Sequence, residues 1–120
     1  MNILIIGSGA LGCLFGALLA PHAEVTLYCR QIAAARIARI RGINLLDAKG
    51  RQLRTERVQT INDMETAPRG HFDYALVCTK AADGRDAGLI ARELLKPDAP
   101  ALTLQNGLGN RERIGEALGP

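Results

Sequence analysis

A chain of 120 residues with 48% hydrophobic and 22% charged side chains makes one globular domain that can bury a core without staples, and it excludes a disordered chain. The net charge of +3 is mild, the arginines are scattered from Arg30 to Arg113, and only 3% of residues are aromatic, which argues against a nucleic-acid-binding surface. Cys13, Cys29 and Cys78 form no CxxC pair, and no histidine stands at metal-ligand spacing. They are expected to be buried free thiols in a reducing compartment, with no metal site.

The chain opens on "NILIIG", a continuous apolar run that reads as a buried strand of a parallel sheet. "ALGCLFGALLA" follows and reads as a helix, apolar almost all round and stopped by Pro21. This opening is a poor signal peptide: no positive charge precedes the apolar run, and Gly7, Gly9, Gly12 and Gly16 interrupt it. The run from Ala10 to Ala20 is too short to span a bilayer. A soluble cytoplasmic protein with no membrane partner is expected.

"EVTLYCR" reads as a second strand and "QIAAARIARIRG" as a second helix, with Gly42 as its stop. The pattern then changes. "INLLD", "RQLRTE" and "RVQTI" read as short strands joined by turns, a hairpin-like insertion expected at the edge of the sheet. "FDYALVCTK" returns to a buried strand. "ADGRDAGLIARELL" is an amphipathic helix with Ala87, Ile90, Ala91 and Leu94 on one face. "APALTLQNG" is another strand, and "NRERIGEAL" begins a last helix that Asn110 can cap. The alternation predicts an α/β domain: a doubly wound, mainly parallel sheet with helices on both faces and a small β insertion. The chain stops about where a sixth strand would begin.

Gly7, Gly9 and Gly12 fit G-x-G-x-x-G between a buried strand and a helix. In a dinucleotide site the first glycine allows the tight turn, the second lets the pyrophosphate approach the backbone, and the third lets the helix pack close to the strand. The helix N-terminus supplies free N–H groups and a partial positive charge. The alternative is a tight strand-to-helix corner with no ligand.

The second strand ends at Arg30, where an NAD site usually carries an acidic residue for the ribose. An arginine there can pair bidentately with a 2′-phosphate and points to NADP(H), unless it is a solvated residue at a strand end. Lys80 follows the fourth strand in "CTKAAD", and Asn106 follows the fifth in "LQNGLGN". Both stand at carboxyl ends of strands, where ligands of open α/β sheets bind. They either hold the nicotinamide ribose and an anionic keto acid, or are a surface lysine and an Asn-Gly turn.

With these segments in order, together with "RIRGINLLDAKG", nearly the whole chain resembles the ketopantoate reductase (2-dehydropantoate 2-reductase) family, whose first domain is a Rossmann-type dinucleotide-binding domain. The glycine motif is shared widely, whereas the Lys-Ala and Gln-Asn-Gly-Leu-Gly-Asn segments are much more specific. The resemblance implies an oxidoreductase that reduces ketopantoate to pantoate with NADPH, on the route to pantothenate and coenzyme A. It implies that Gly7, Ser8, Gly9, Ala10, Leu11 and Gly12 hold the pyrophosphate and that Arg30 holds the 2′-phosphate. Lys80 and Asn106 would lie near the nicotinamide ribose and the substrate.

It implies as well that residues 1–120 are the dinucleotide-binding domain, truncated before a helical domain that supplies the general-acid lysine. No catalytic residue is then expected in this chain, and the chain alone is expected to be inactive. Three other readings stand beside it. One is a related 2-keto acid reductase, another a stand-alone NADP-binding sensor or regulatory module, the third a structural protein that has lost its ligand. A sheet edge and the Leu104–Leu118 segment left uncovered predict self-association as a homo-oligomer.

Overall fold

A computed structural model describes residues 1–7, 9–29, 43–46, 52–55, 58–79, 84–104 and 117. The expected second helix and most of the expected last helix lie outside these residues. Of the last, Ala117 is helical and buried. Leu104 is half-buried, and most of the segment expected to drive self-association lies outside the described residues.

Five strands form one all-parallel sheet: β1 (Asn2–Ile6), β2 (Glu24–Tyr28), β5 (Val58–Ile61), β6 (Tyr74–Val77) and β7 (Ala101–Thr103). Their order is β5-β2-β1-β6-β7. The central position of β1 explains why its sequence does not alternate, since both faces are covered. Ile3 and Ile5 face one cluster with Val25, Leu27, Ala17 and Ala20, while Leu4 and Ile6 face another with Val77, Ala87, Ala91 and Leu94. Leu4, Ile5 and Leu27 are wholly buried, each stabilising the fold by about 1.5–3 kcal/mol.

The first cluster is closed by α1 (Ala10–Leu19) and the second by α2 (Gly84–Leu94). α1 presents Gly12, Gly16, Ala17 and Ala20 inward, so small side chains let it sit close to the sheet. Leu11, Leu14 and Leu18 are left outward at 39–47% exposure, the structural counterpart of a helix that reads as apolar all round. α2 buries the face foreseen for it: Ala87, Ala91 and Leu94 inside, Ile90 half-buried. Among the described residues no helix is long and apolar enough to cross a membrane.

The insertion differs from expectation in two ways. Only β3 (Ile43–Leu46) and β4 (Gln52–Thr55) make the antiparallel hairpin, and they form their own two-stranded sheet beside α1 rather than extending the main sheet. "RVQTI" is not part of it. Val58–Ile61 pairs in parallel with β2 as the edge strand of the main sheet. Val58 and Thr60 are buried against the α1 side and Gln59 is exposed. An edge strand with one open face alternates just as a hairpin strand does, which is why pattern alone misplaces it.

At the amino end of the sheet Asp73 fastens three elements. Its carboxylate accepts the backbone N–H of Asn2 at 2.8 Å and the Lys96 ammonium at 2.7 Å, so it joins the starts of β1 and β6 to the end of α2. The bond from Asn2, then that from Lys96, hold this carboxyl below the usual value of 3.8.

Candidate functional site

The strand order reverses between β1 and β6: the chain winds outward through β2 and β5, then returns to the other side of β1. A crevice therefore opens at the carboxyl ends of these two strands. Ile6, Gly7, Cys78 and Thr79 stand there, with the Cys78 N–H donating to the Ile6 carbonyl at 2.9 Å.

Gly7 adopts φ +113°, which side-chain-bearing residues rarely reach, and its N–H donates to the Tyr28 carbonyl at 3.1 Å. A Cβ here would meet the Cys78 and Thr79 backbone at 2.9–3.0 Å. Glycine is thus required both by conformation and by space. At Gly12 a Cβ would lie 2.0 Å from the Gly7 carbonyl oxygen and 3.5 Å from the Ile5 side chain. The third glycine therefore lets the helix pack against the turn even more closely than against the strand.

Gly9 is different. It is the N-cap of α1, with φ −69° and ψ −173°, a conformation open to any residue. A Cβ there would meet nothing within 4 Å. No fold constraint calls for glycine, so the free space over its backbone is the property that fits a ligand. The first helical hydrogen bond runs from the Cys13 N–H to the Gly9 carbonyl at 3.0 Å. The N–H groups of Ala10, Leu11 and Gly12 precede it and point out of the helix end. Gly9 offers no side-chain cap, and no acidic residue sits in the first turn, so the positive end of the helix is left for an external anion. These residues fit the pyrophosphate of a dinucleotide.

Beside the turn, Ile6, Tyr28, Thr79, Asp86 and Ile90 help to line a small cavity. Tyr28, Thr79 and Asp86 are site candidates that sequence reasoning missed. Their only signals are a strand-final tyrosine, a threonine before Lys80 and an acid opening a helix. Two thiols flank the turn. Burial raises Cys13, and it pushes Cys78 up to about 11, so both stay protonated at neutral pH and neither is a nucleophile. Ser8, Arg30, Lys80 and Asn106 lie outside the described residues. Of the expected site residues the structure brings together Gly7, Gly9, Ala10, Leu11 and Gly12.

Residues 3–120 match the family described as ketopantoate reductase PanE/ApbA. A 2-dehydropantoate 2-reductase of Pyrococcus horikoshii is 35% identical over 122 residues, which take in 99% of this chain and 37% of that protein. The crystal structure of 2-dehydropantoate 2-reductase from Geobacter metallireducens superposes with a TM-score of 0.78 at 30% identity, covering 99% of this chain and 38% of that one. The ternary structure of D-mandelate dehydrogenase with NADH and anilino(oxo)acetate superposes at 0.84 with 25% identity, covering 100% and 38%. The chain thus spans less than two fifths of the length of these relatives.

Proposed function

Since the chain belongs to the ketopantoate reductase family, we propose that it is the NADPH-binding domain of a cytoplasmic 2-dehydropantoate 2-reductase that reduces ketopantoate to pantoate. The observation that carries the reading is the glycine turn. Gly7 and Gly12 are demanded by the fold, whereas Gly9 has open space over its backbone, which supports a phosphate lying there. The first-turn N–H groups of α1 take the pyrophosphate, and Arg30, where an acid would repel it, takes the 2′-phosphate. Three cysteines that join in no disulfide support a reducing compartment.

The nicotinamide, when bound, supplies the hydride for the substrate ketone. Lys80 follows β6, whose carboxyl end borders the crevice, and Asn106 follows the neighbouring β7; in this reading they orient the nicotinamide ribose and the anionic keto acid. The alkoxide left by reduction needs a proton, and we assign the general acid to a helical domain beyond this chain. General acid–base help is worth about 10²–10⁴-fold. A related 2-keto acid is the second reading for the substrate, favoured by the likeness to D-mandelate dehydrogenase.

Calorimetric titration with NADPH, followed by a steady-state NADPH oxidation assay with ketopantoate, tests the proposal. The chain should bind NADPH, and sustained turnover should need the longer protein. Failure to bind any nicotinamide dinucleotide would remove the reading. Turnover by residues 1–120 at the rate of full-length relatives would remove the assignment of the acid.

A further inference from the structure

Gly7 is the point at which the ends of β1, β2 and β6 meet. Its N–H donates to the Tyr28 carbonyl at 3.1 Å, and a Cβ on it would stand 2.9 Å from the Cys78 carbonyl carbon and 3.0 Å from the Thr79 nitrogen. The end of β6 is therefore laid against the bare Cα of the turn, backbone on backbone. The same end of β6 carries two further ties. The Cys78 N–H donates to the Ile6 carbonyl and the Leu104 N–H to the Val77 carbonyl, each at 2.9 Å. Lys80 is the next residue after Thr79, and Asn106 comes two residues after Leu104.

We infer that Gly7 is a positioning residue for Lys80 and Asn106: a phosphate held on the turn fixes the end of β6, and the end of β6 fixes the two segments that orient the nicotinamide ribose and the keto acid. This coupling rests on the dinucleotide reading above and extends it to how one half of the site sets the other. Closely packed backbone passes a displacement on rather than absorbing it. A methyl group at Gly7 must move Cys78 and Thr79 away from the turn, and Lys80 moves with them. The tight turn alone asks only for φ +113° and would leave Lys80 indifferent to it.

A double-mutant cycle on NADPH affinity, read by calorimetry, tests the coupling. Lys80→Ala should weaken NADPH by about tenfold, the scale of one charge-assisted hydrogen bond. Gly7→Ala should weaken it by at least about that factor. The double variant should bind no worse than Gly7→Ala alone, because Lys80 is already displaced there. A glycine that acts through the turn only would give independent losses, the double variant being about tenfold weaker still. Independent losses, or wild-type affinity in either single variant, would overturn the inference and leave the dinucleotide site standing.

Since alanine at φ +113° is strained and can unfold the variant, a second measurement uses the wild type. Inorganic pyrophosphate fills the turn and brings no nicotinamide end. Amide hydrogen exchange should then slow at Ala10 and Leu11 and also at Cys78 and Leu104, whose hydrogen bonds open when β6 leaves the turn. Slowing confined to α1 would overturn the coupling. So would first-turn amides that ignore pyrophosphate in a chain that binds NADPH, since the turn would not be the seat from which the coupling starts. Binding of neither NADPH nor pyrophosphate would overturn the dinucleotide reading and the coupling together.

Discussion

A Cβ on Gly12 would lie 2.0 Å from the carbonyl oxygen of Gly7, far inside van der Waals contact, and that oxygen belongs to a backbone with little room to move. Gly7 is itself held by its bond to Tyr28 and by the Cys78–Thr79 backbone. Gly12→Ala must therefore push α1 off the turn. Overpacking of this kind costs about 1–3 kcal/mol or more. Urea denaturation should show the loss as a lower midpoint with an unchanged slope, and an unchanged midpoint would mean that α1 can retreat without cost.

Gly9→Val should behave in the opposite way. Nothing within 4 Å opposes a Cβ there, and the backbone conformation admits any residue. Loss of the glycine N-cap costs only about 1 kcal/mol or less. The valine side chain would fill the space assigned to the pyrophosphate, so NADPH binding should disappear while the melting temperature stays near that of the wild type. Normal NADPH affinity in this variant would make the turn a structural corner.

The contrast between these glycines marks how far the sequence was legible. The spacing picks out all three, but it does not tell which are held by packing and which stand beside free space. β1, α1, β2 and α2 are readable because an apolar run or a helical stripe ends at a glycine, a proline or a polar break. Val58–Ile61 was unreadable as a strand of the main sheet, since its alternation fits an edge strand and a hairpin strand equally. Tyr28, Thr79 and Asp86 come from β2, the end of β6 and the start of α2. Only the order β2-β1-β6 brings them to one cavity, and strand order is not written in local periodicity.

The thiols should be slow to react. Cys29 is wholly buried, and burial raises both Cys13 and Cys78, the latter to about 11. At pH 8 roughly one Cys78 in a thousand is then a thiolate. Ellman's reagent should label the folded chain far more slowly than the chain in guanidinium, where all three thiols react. Rapid labelling of Cys78 in the folded chain would contradict its burial.

Asp73 should give the chain a stability that depends on acid pH. Its carboxyl is held below the ordinary value by the Asn2 N–H first and Lys96 second. The contribution is therefore fully present above the unfolded carboxyl's value near 4 and is lost as pH falls through the lower, folded value. Denaturation midpoints of the wild type and Asp73→Asn should differ at pH 6 and converge toward pH 2. A gap that stays constant over this range would mean that Asp73 acts through packing rather than charge.

On the proposed reading, the choice between NADPH and NADH turns on Arg30. "EVTLYCR" carries no acidic residue after Glu24, and Glu24 stands at the opposite end of β2 from the ribose. A guanidinium near the 2′-phosphate adds a charge-assisted pair worth about 1.5–3 kcal/mol, or tenfold and more in affinity. NADH lacks the phosphate and loses that pair. The wild-type chain should therefore bind NADPH at least about tenfold more tightly than NADH. Arg30→Ala should remove most of that preference by weakening NADPH alone. The preference should also shrink as salt rises from about 50 to about 500 mM, because salt screens the attraction between a guanidinium and a phosphate. Calorimetry with both cofactors decides it. Equal affinities in the wild type, or a preference untouched in Arg30→Ala, would move the chain toward the NADH-bound relative and take the 2′-phosphate away from Arg30.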